Sequence, residues 1–169
     1  MALALTLAVP AHAQRLSVEA FYGTWKGSAI SESEVSVHFH VTARDIGVTL
    51  GPAGENRFKL TTATVKRKKG TPDDPIEEVD TREVIFQKGK DNLWWALDSG
   101  DPRDGGVLRW ARLDDNALII STFTVRDDGQ SEVQAYHRAI TDRGMDLIYT
   151  RTVDGSLVRT VKGQLVRVR

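Results

Sequence analysis

His38 and His40 are the first residues whose types and spacing suggest chemistry. In an extended Val35–Val41 segment, period two puts both imidazoles on one face and Val35, Val37, Phe39 and Val41 on the other. Two imidazoles on one face begin a metal site, and His137 is the third ligand if its strand faces the same space. Without a nearby third ligand the pair is not a metal signature, so no metal is assigned. If that face turns inward, His38 and His40 line a cavity instead. Tyr136-His137-Arg138 offers acid–base types, but a strand sends Tyr136 and Arg138 to one face and His137 to the other. The chain has no nucleophile elbow, no phosphate-binding glycine loop and no HExxH helix. Asp114-Asp115 and Asp127-Asp128 read as turn chemistry. No catalytic residue and no cofactor are assigned.

The aromatics are more informative. Trp94 and Trp95 are adjacent, so on a strand one points inward and the other outward. An inward member of that pair, together with Trp110, is expected to line a ligand cavity, with Phe86, Phe123 and Tyr149 as further lining. Ligand cavities are mostly apolar with a few fixed polar groups. The competing expectation is that these rings simply fill the core.

The elements that must position these residues are strands. Turn signals recur at Asp114-Asp115-Asn116, Asp127-Asp128-Gly129, Asp142-Arg143-Gly144 and Asp154-Gly155, spaced as one strand plus a tight turn. The intervening segments are rich in Val, Ile, Thr and aromatics. The pattern predicts strands at Thr24–Ile30, Glu34–Arg44, Gly47–Leu50, Arg57–Arg67, Val79–Lys88, Leu93–Leu97, Val107–Leu113, Ala117–Arg126, Ser131–Thr141, Met145–Val153 and Ser156–Val168. Gly47–Leu50 and Leu93–Leu97 carry the weakest pattern, so eight to eleven strands are expected. A short helical turn, capped by Ser17 and ended by Gly23, precedes them. Lys66–Pro75 and Asp98–Gly106 read as surface loops at the barrel ends, a natural lid. The fold class is therefore all-β, an antiparallel up-and-down barrel, because a meander of short hairpins lacks the long connections of a Greek key.

Composition bounds the rest. The chain has 169 residues, with Lys+Arg and Asp+Glu both 23 and no cysteine. Balanced charge argues against a nucleic-acid partner, and the missing cysteines exclude disulfides, thiolate metal sites and cysteine nucleophiles. Residues 1–13 read as a signal peptide: an apolar run, MALALTLAVP, then Ala11-His12-Ala13. No basic residues precede that run, so the start of the leader is expected further upstream. Residues 14–169 form a single domain. No segment is a transmembrane helix by length, and a periplasmic or secreted location is expected.

Phe21-Tyr22-Gly23-Thr24-Trp25-Lys26-Gly27 leads a helical turn into Gly-x-Trp at the head of the first strand. This resembles the opening of a lipocalin or wider calycin barrel. The resemblance implies that Gly23 permits the tight turn, that Trp25 plugs one end, and that a basic residue of the last strand, Arg167 with Arg169 as alternative, packs over the indole. A Thr-Asp-Tyr motif is absent; Ile140-Thr141-Asp142 lacks the tyrosine. The functional expectation is binding of a small hydrophobic molecule inside the barrel. Two alternatives stand beside it, a filled barrel with a structural or protein-interaction role and a cofactor-free calycin-type enzyme.

Overall fold

The computed structural model describes residues 16–35, 41–71 and 74–168. A 3-10 turn, Val18–Phe21, precedes ten strands: β1 Gly23–Ser33, β2 Val41–Pro52, β3 Arg57–Thr71, β4 Asp74–Lys88, β5 Leu93–Ala96, β6 Leu108–Asp114, β7 Ala117–Val125, β8 Ser131–Thr141, β9 Gly144–Val153 and β10 Ser156–Val168. Each strand pairs antiparallel with the next, and β10 returns to β1, closing an up-and-down barrel. The hairpin turns use the residues the sequence places there. Asp115 and Asp154 take positive φ of 51° and 46°, and Gly129, Gly144 and Gly155 also lie at positive φ.

Two segments depart from the sequence reading. The break expected between Glu34–Arg44 and Gly47–Leu50 is absent, because β2 runs unbroken through Asp45 and Gly47. Ile46 points into the core, and Gly47 sits in the ladder opposite Ala63, so this glycine does not interrupt the strand. Lys66–Pro75 is not an open loop: β3 continues to Thr71 and β4 begins at Asp74. The register sets Lys66 opposite Glu78 and Arg67 opposite Glu77. Asp98–Gly106 does remain a connection. It contains a 3-10 turn, Pro102–Asp104, in which Asp101 accepts a hydrogen bond from the Arg103 backbone N–H.

Strand alternation divides the interior into two halves. Toward the end where the chain enters, Phe21, Trp25, Val48, Leu50, Phe58, Phe86, Trp94, Leu118, Met145 and Leu165 are buried together. Phe58 stacks on Phe86 at 4.9 Å and meets Trp94 edge-on at 6.1 Å. Toward the other end the inward residues turn polar: Thr62 and Thr64 on β3, Arg82 on β4, Arg109 on β6, Gln134 and Arg138 on β8, Arg151 on β9.

Among the described residues the wall is incomplete beside β4. β4 pairs with β5 only at Phe86, Gln87 and Lys88, and one further bond runs from the Leu97 N–H to the Ile85 carbonyl. Above Ile85, β4 pairs only with β3 among the described residues. The connection after β5 is instead fastened to β6: Ser99 Oγ accepts from the Arg109 N–H at 2.9 Å and donates to the Arg109 carbonyl at 3.0 Å. A seam is left between β4 and β6.

Candidate functional site

Trp25 anchors the closed end. Its indole N–H donates to the Phe21 carbonyl at 2.9 Å, which ties the 3-10 turn to β1. The Arg167 guanidinium lies 4.5 Å from the centre of the indole ring and donates to the Ala20 carbonyl at 2.8 Å. Gly23 takes φ 122°, a conformation that L side chains rarely adopt, and this lets the chain turn into β1 beside the Arg167 side chain. Gly23, Trp25 and Arg167 thus form one structural cluster far from the polar half.

The polar half holds a chamber of about 210 Å³. Leu60, Val84, Phe86 and Ile120 make its apolar side against the core; Thr62, Thr64, Thr122, Gln134 and Tyr136 make its polar side. Asp80 and Arg82 come from one flank of the seam and Arg109 from the other, so the chamber meets the seam. Arg109 is only 3% exposed and is held by Asp98 at 2.6 Å, whose side chain is 53% exposed.

Arg138 is the most unusual lining residue. It is 1% exposed, and its Nε and Nη1 have no hydrogen-bond partner. Its guanidinium carbon sits 4.8 Å from the Tyr136 ring centre. Burial pulls its pKa down to about 10, with the nearby Tyr136 acting the other way. A second pair of guanidinium groups, Arg44 and Arg159, lies close enough to interact with each other. Arg44 and Arg159 each bury an unpartnered Nε. Burial and then the Arg159 charge lower the Arg44 pKa. Tyr149 packs on Tyr136 at 4.5 Å, and burial, followed by Tyr136, pushes its hydroxyl up to about 12. Arg151 donates through Nη2 to Glu132 at 2.6 Å while its own Nε stays unpartnered, and this bond holds the Glu132 carboxyl below its ordinary value. Gln134 donates to the other Glu132 oxygen at 2.6 Å.

The residues expected from sequence to line a cavity divide sharply. Phe86 and Tyr149 point inward, Phe86 onto the chamber floor. Trp94 is also inward, at 5% exposed, but belongs to the closed end, where it borders a separate hollow of about 540 Å³ under Leu16–Glu19. Trp95, Trp110 and Phe123 do not line the interior. Arg109, Ala111 and Leu113 face inward on β6, so period two turns Trp110 outward. There it meets Trp95, 42% exposed, at 6.3 Å. Leu118 and Ile120 face inward on β7, which turns Phe123 outward between Leu108 and Val133. His137 alternates to the outer wall for the same reason. His38 and His40 lie outside the described residues. Among the described residues no three His, Asp or Glu side chains converge as a metal site.

Arg138, Arg44, Arg159 and Gln134 were not singled out as binding residues. The signal was present in β8: Glu132, Gln134, Tyr136 and Arg138 alternate with Val133, Ala135, His137 and Ala139. On a conventional sheet the polar set faces water; here it faces the interior. Neither a scan against protein-family models nor a search of the curated proteins returns a match for this chain.

Proposed function

We propose that this protein is an exported barrel that binds a small, partly apolar molecule in the chamber between β3, β4, β6, β7 and β8. The observation that carries this reading is the chamber's lining. One side is made of aliphatic and aromatic carbon and the other of polar groups with hydrogen-bonding capacity to spare, the composition of a ligand pocket. At about 210 Å³ it is smaller than the roughly 300–1,000 Å³ usual for drug-sized ligands, so its occupant is a single ring or short chain and not a long lipid. The seam beside Arg82 and Arg109 supplies a route in. Gly23, Trp25 and Arg167 support kinship with the calycin barrels, many of which carry ligands inside. Ala11-His12-Ala13 after its apolar run supports a periplasmic or secreted location.

The test is titration of single-ring and short-chain probes, followed by amide chemical shifts. Saturable shifts should centre on Thr62, Ile120, Gln134 and Tyr136, and Thr122→Trp, which fills the chamber, should abolish them. Phe123→Trp, on the outer wall, should leave them intact. Shifts confined to Trp95 and Trp110, or no saturable binding from any probe, would leave a structural barrel without a ligand.

A further inference from the structure

We propose that the molecule held in the chamber is a carboxylate, and that Arg138 is the counter-charge that selects it. This rests on the chamber being a binding site, as argued above.

The argument begins with an imbalance. The chain as a whole carries equal numbers of basic and acidic residues, yet the deep end of its polar interior does not. Arg138 lines it with two buried nitrogens that lack an acceptor, and Arg44 and Arg159, which repel each other, each bury one more. The Glu132 carboxylate is already committed to Arg151 and Gln134. Asp80 also lines the chamber but sits exposed on the seam side, and it makes no ion pair with Arg138 among the described residues.

A guanidinium removed from water and left without acceptors is strongly unfavourable. The Tyr136 face offsets part of that through its π cloud, but a ring face accepts none of the in-plane N–H bonds. Folding therefore leaves a site that asks for negative charge and oxygen lone pairs. Even after burial lowers its pKa, Arg138 stays charged at neutral pH. A carboxylate supplies one negative charge and two acceptor oxygens in a plane, which suits a guanidinium. The apolar side formed by Leu60, Val84 and Ile120 then covers the rest of the molecule, which favours an organic acid over a bare inorganic anion.

The experiment compares benzoate, benzamide and inorganic phosphate by calorimetry on the wild-type protein and on Arg138→Gln. Benzoate should bind at least about tenfold more tightly than benzamide, the factor expected when a hydrogen bond becomes charge-assisted. Arg138→Gln should erase that preference while changing benzamide affinity by less than about threefold, because the apolar side is untouched. Equal affinity for benzoate and benzamide in the wild type, or a preference that survives Arg138→Gln, would overturn the counter-charge while leaving the chamber a binding site. Phosphate binding as tightly as benzoate would overturn the organic-acid assignment. If no probe binds, both readings fall together. Should Arg138→Gln not fold, the wild-type protein answers alone: carboxyl-labelled benzoate, titrated while bound, should show its pKa lowered from the free value, and an unchanged pKa would refute the contact.

Discussion

Replacing Arg138 with methionine should stabilise the empty protein. The register sets Arg138 between Leu118 on β7 and Leu147 on β9, all three inward and buried. The stem of the arginine is therefore surrounded by aliphatic carbon, and methionine reproduces its length and flexibility. What is removed is a desolvated charge with two unpartnered nitrogens. Exchanging buried charge for well-packed apolar side chains is often neutral or stabilising by about 1–4 kcal/mol. Against this stands the lost contact with the Tyr136 ring, worth about 0.5–2 kcal/mol. The balance is a gain of about 1 kcal/mol, or a rise in Tm of about 2–4 °C for a domain of this size. Urea unfolding at unchanged m-value measures it. The sign has a pH signature. Because burial lowers the folded pKa to about 10, below the ordinary arginine value, the unfolded chain binds more protons above pH 10, and Arg138 makes wild-type stability rise with pH there. Tyr149, raised to about 12, acts in the opposite sense there, so the informative quantity is the difference between wild type and Arg138→Met. A variant more than about 1 kcal/mol less stable than wild type would mean that the guanidinium holds the fold together, and the case for a site awaiting an anion would fail.

Two further predictions concern stability. Gly27→Ala should cost about 2–3 kcal/mol or prevent folding, since its Cβ would fall 2.0 Å from the Gln164 carbonyl oxygen where β10 closes on β1. Gly51→Ala, with nothing within 4 Å, should stay within about 0.5 kcal/mol in the same urea assay, and equal effects at the two glycines would refute the closure argument. Glu132→Gln should cost about 1–2 kcal/mol at neutral pH, because it removes the charge from a hydrogen-bonded pair with Arg151 that is largely sheltered from water. The Glu132 pKa is lowered on folding, so its stabilisation is present above the unfolded value of about 4.5 and is lost as pH falls through the folded one. The difference between wild type and Glu132→Gln should therefore shrink in acid; a difference that is flat with pH would separate the pair from stability.

The barrel was legible because hairpin chemistry is local. Asp154-Gly155 and Asp115-Asn116 announce their turns through residues that tolerate positive φ, and a chain of such turns admits few topologies. Trp25 and Arg167 were legible as a pair through the resemblance to a calycin opening, and the pairing of the first strand with the last brings them together. Which way a strand faces was not legible. Period two defines two faces of β8 but does not say which is inside, and that choice depends on the neighbouring strands. The usual guide, apolar inward, holds at the closed end and inverts along Glu132, Gln134, Tyr136 and Arg138. The outward Trp95–Trp110 pair misleads for the same reason: large rings look like lining, but Arg109 and Ala111 occupy the inner face of that strand.

The inversion connects fold and function physically. A barrel closed by Gly27 and Trp25, and filled by Phe21, Phe58, Phe86, Trp94, Met145 and Leu165, gains its stability from one half of its length. That leaves the other half able to carry groups that a folding requirement alone would remove. Arg138, Arg44 and Arg159 oppose folding in the empty protein by forfeiting hydrogen bonds to water, and Arg44 and Arg159 also by repelling each other. An occupant that restores the Arg138 bonds recovers that part of the loss, and it does so only in the folded state, where β8 holds the guanidinium in the chamber. Affinity at such a site is therefore set in advance by how much the empty barrel is destabilised. The apolar layer of Leu60, Val84, Phe86 and Ile120, shared by core and chamber, is where the two requirements meet.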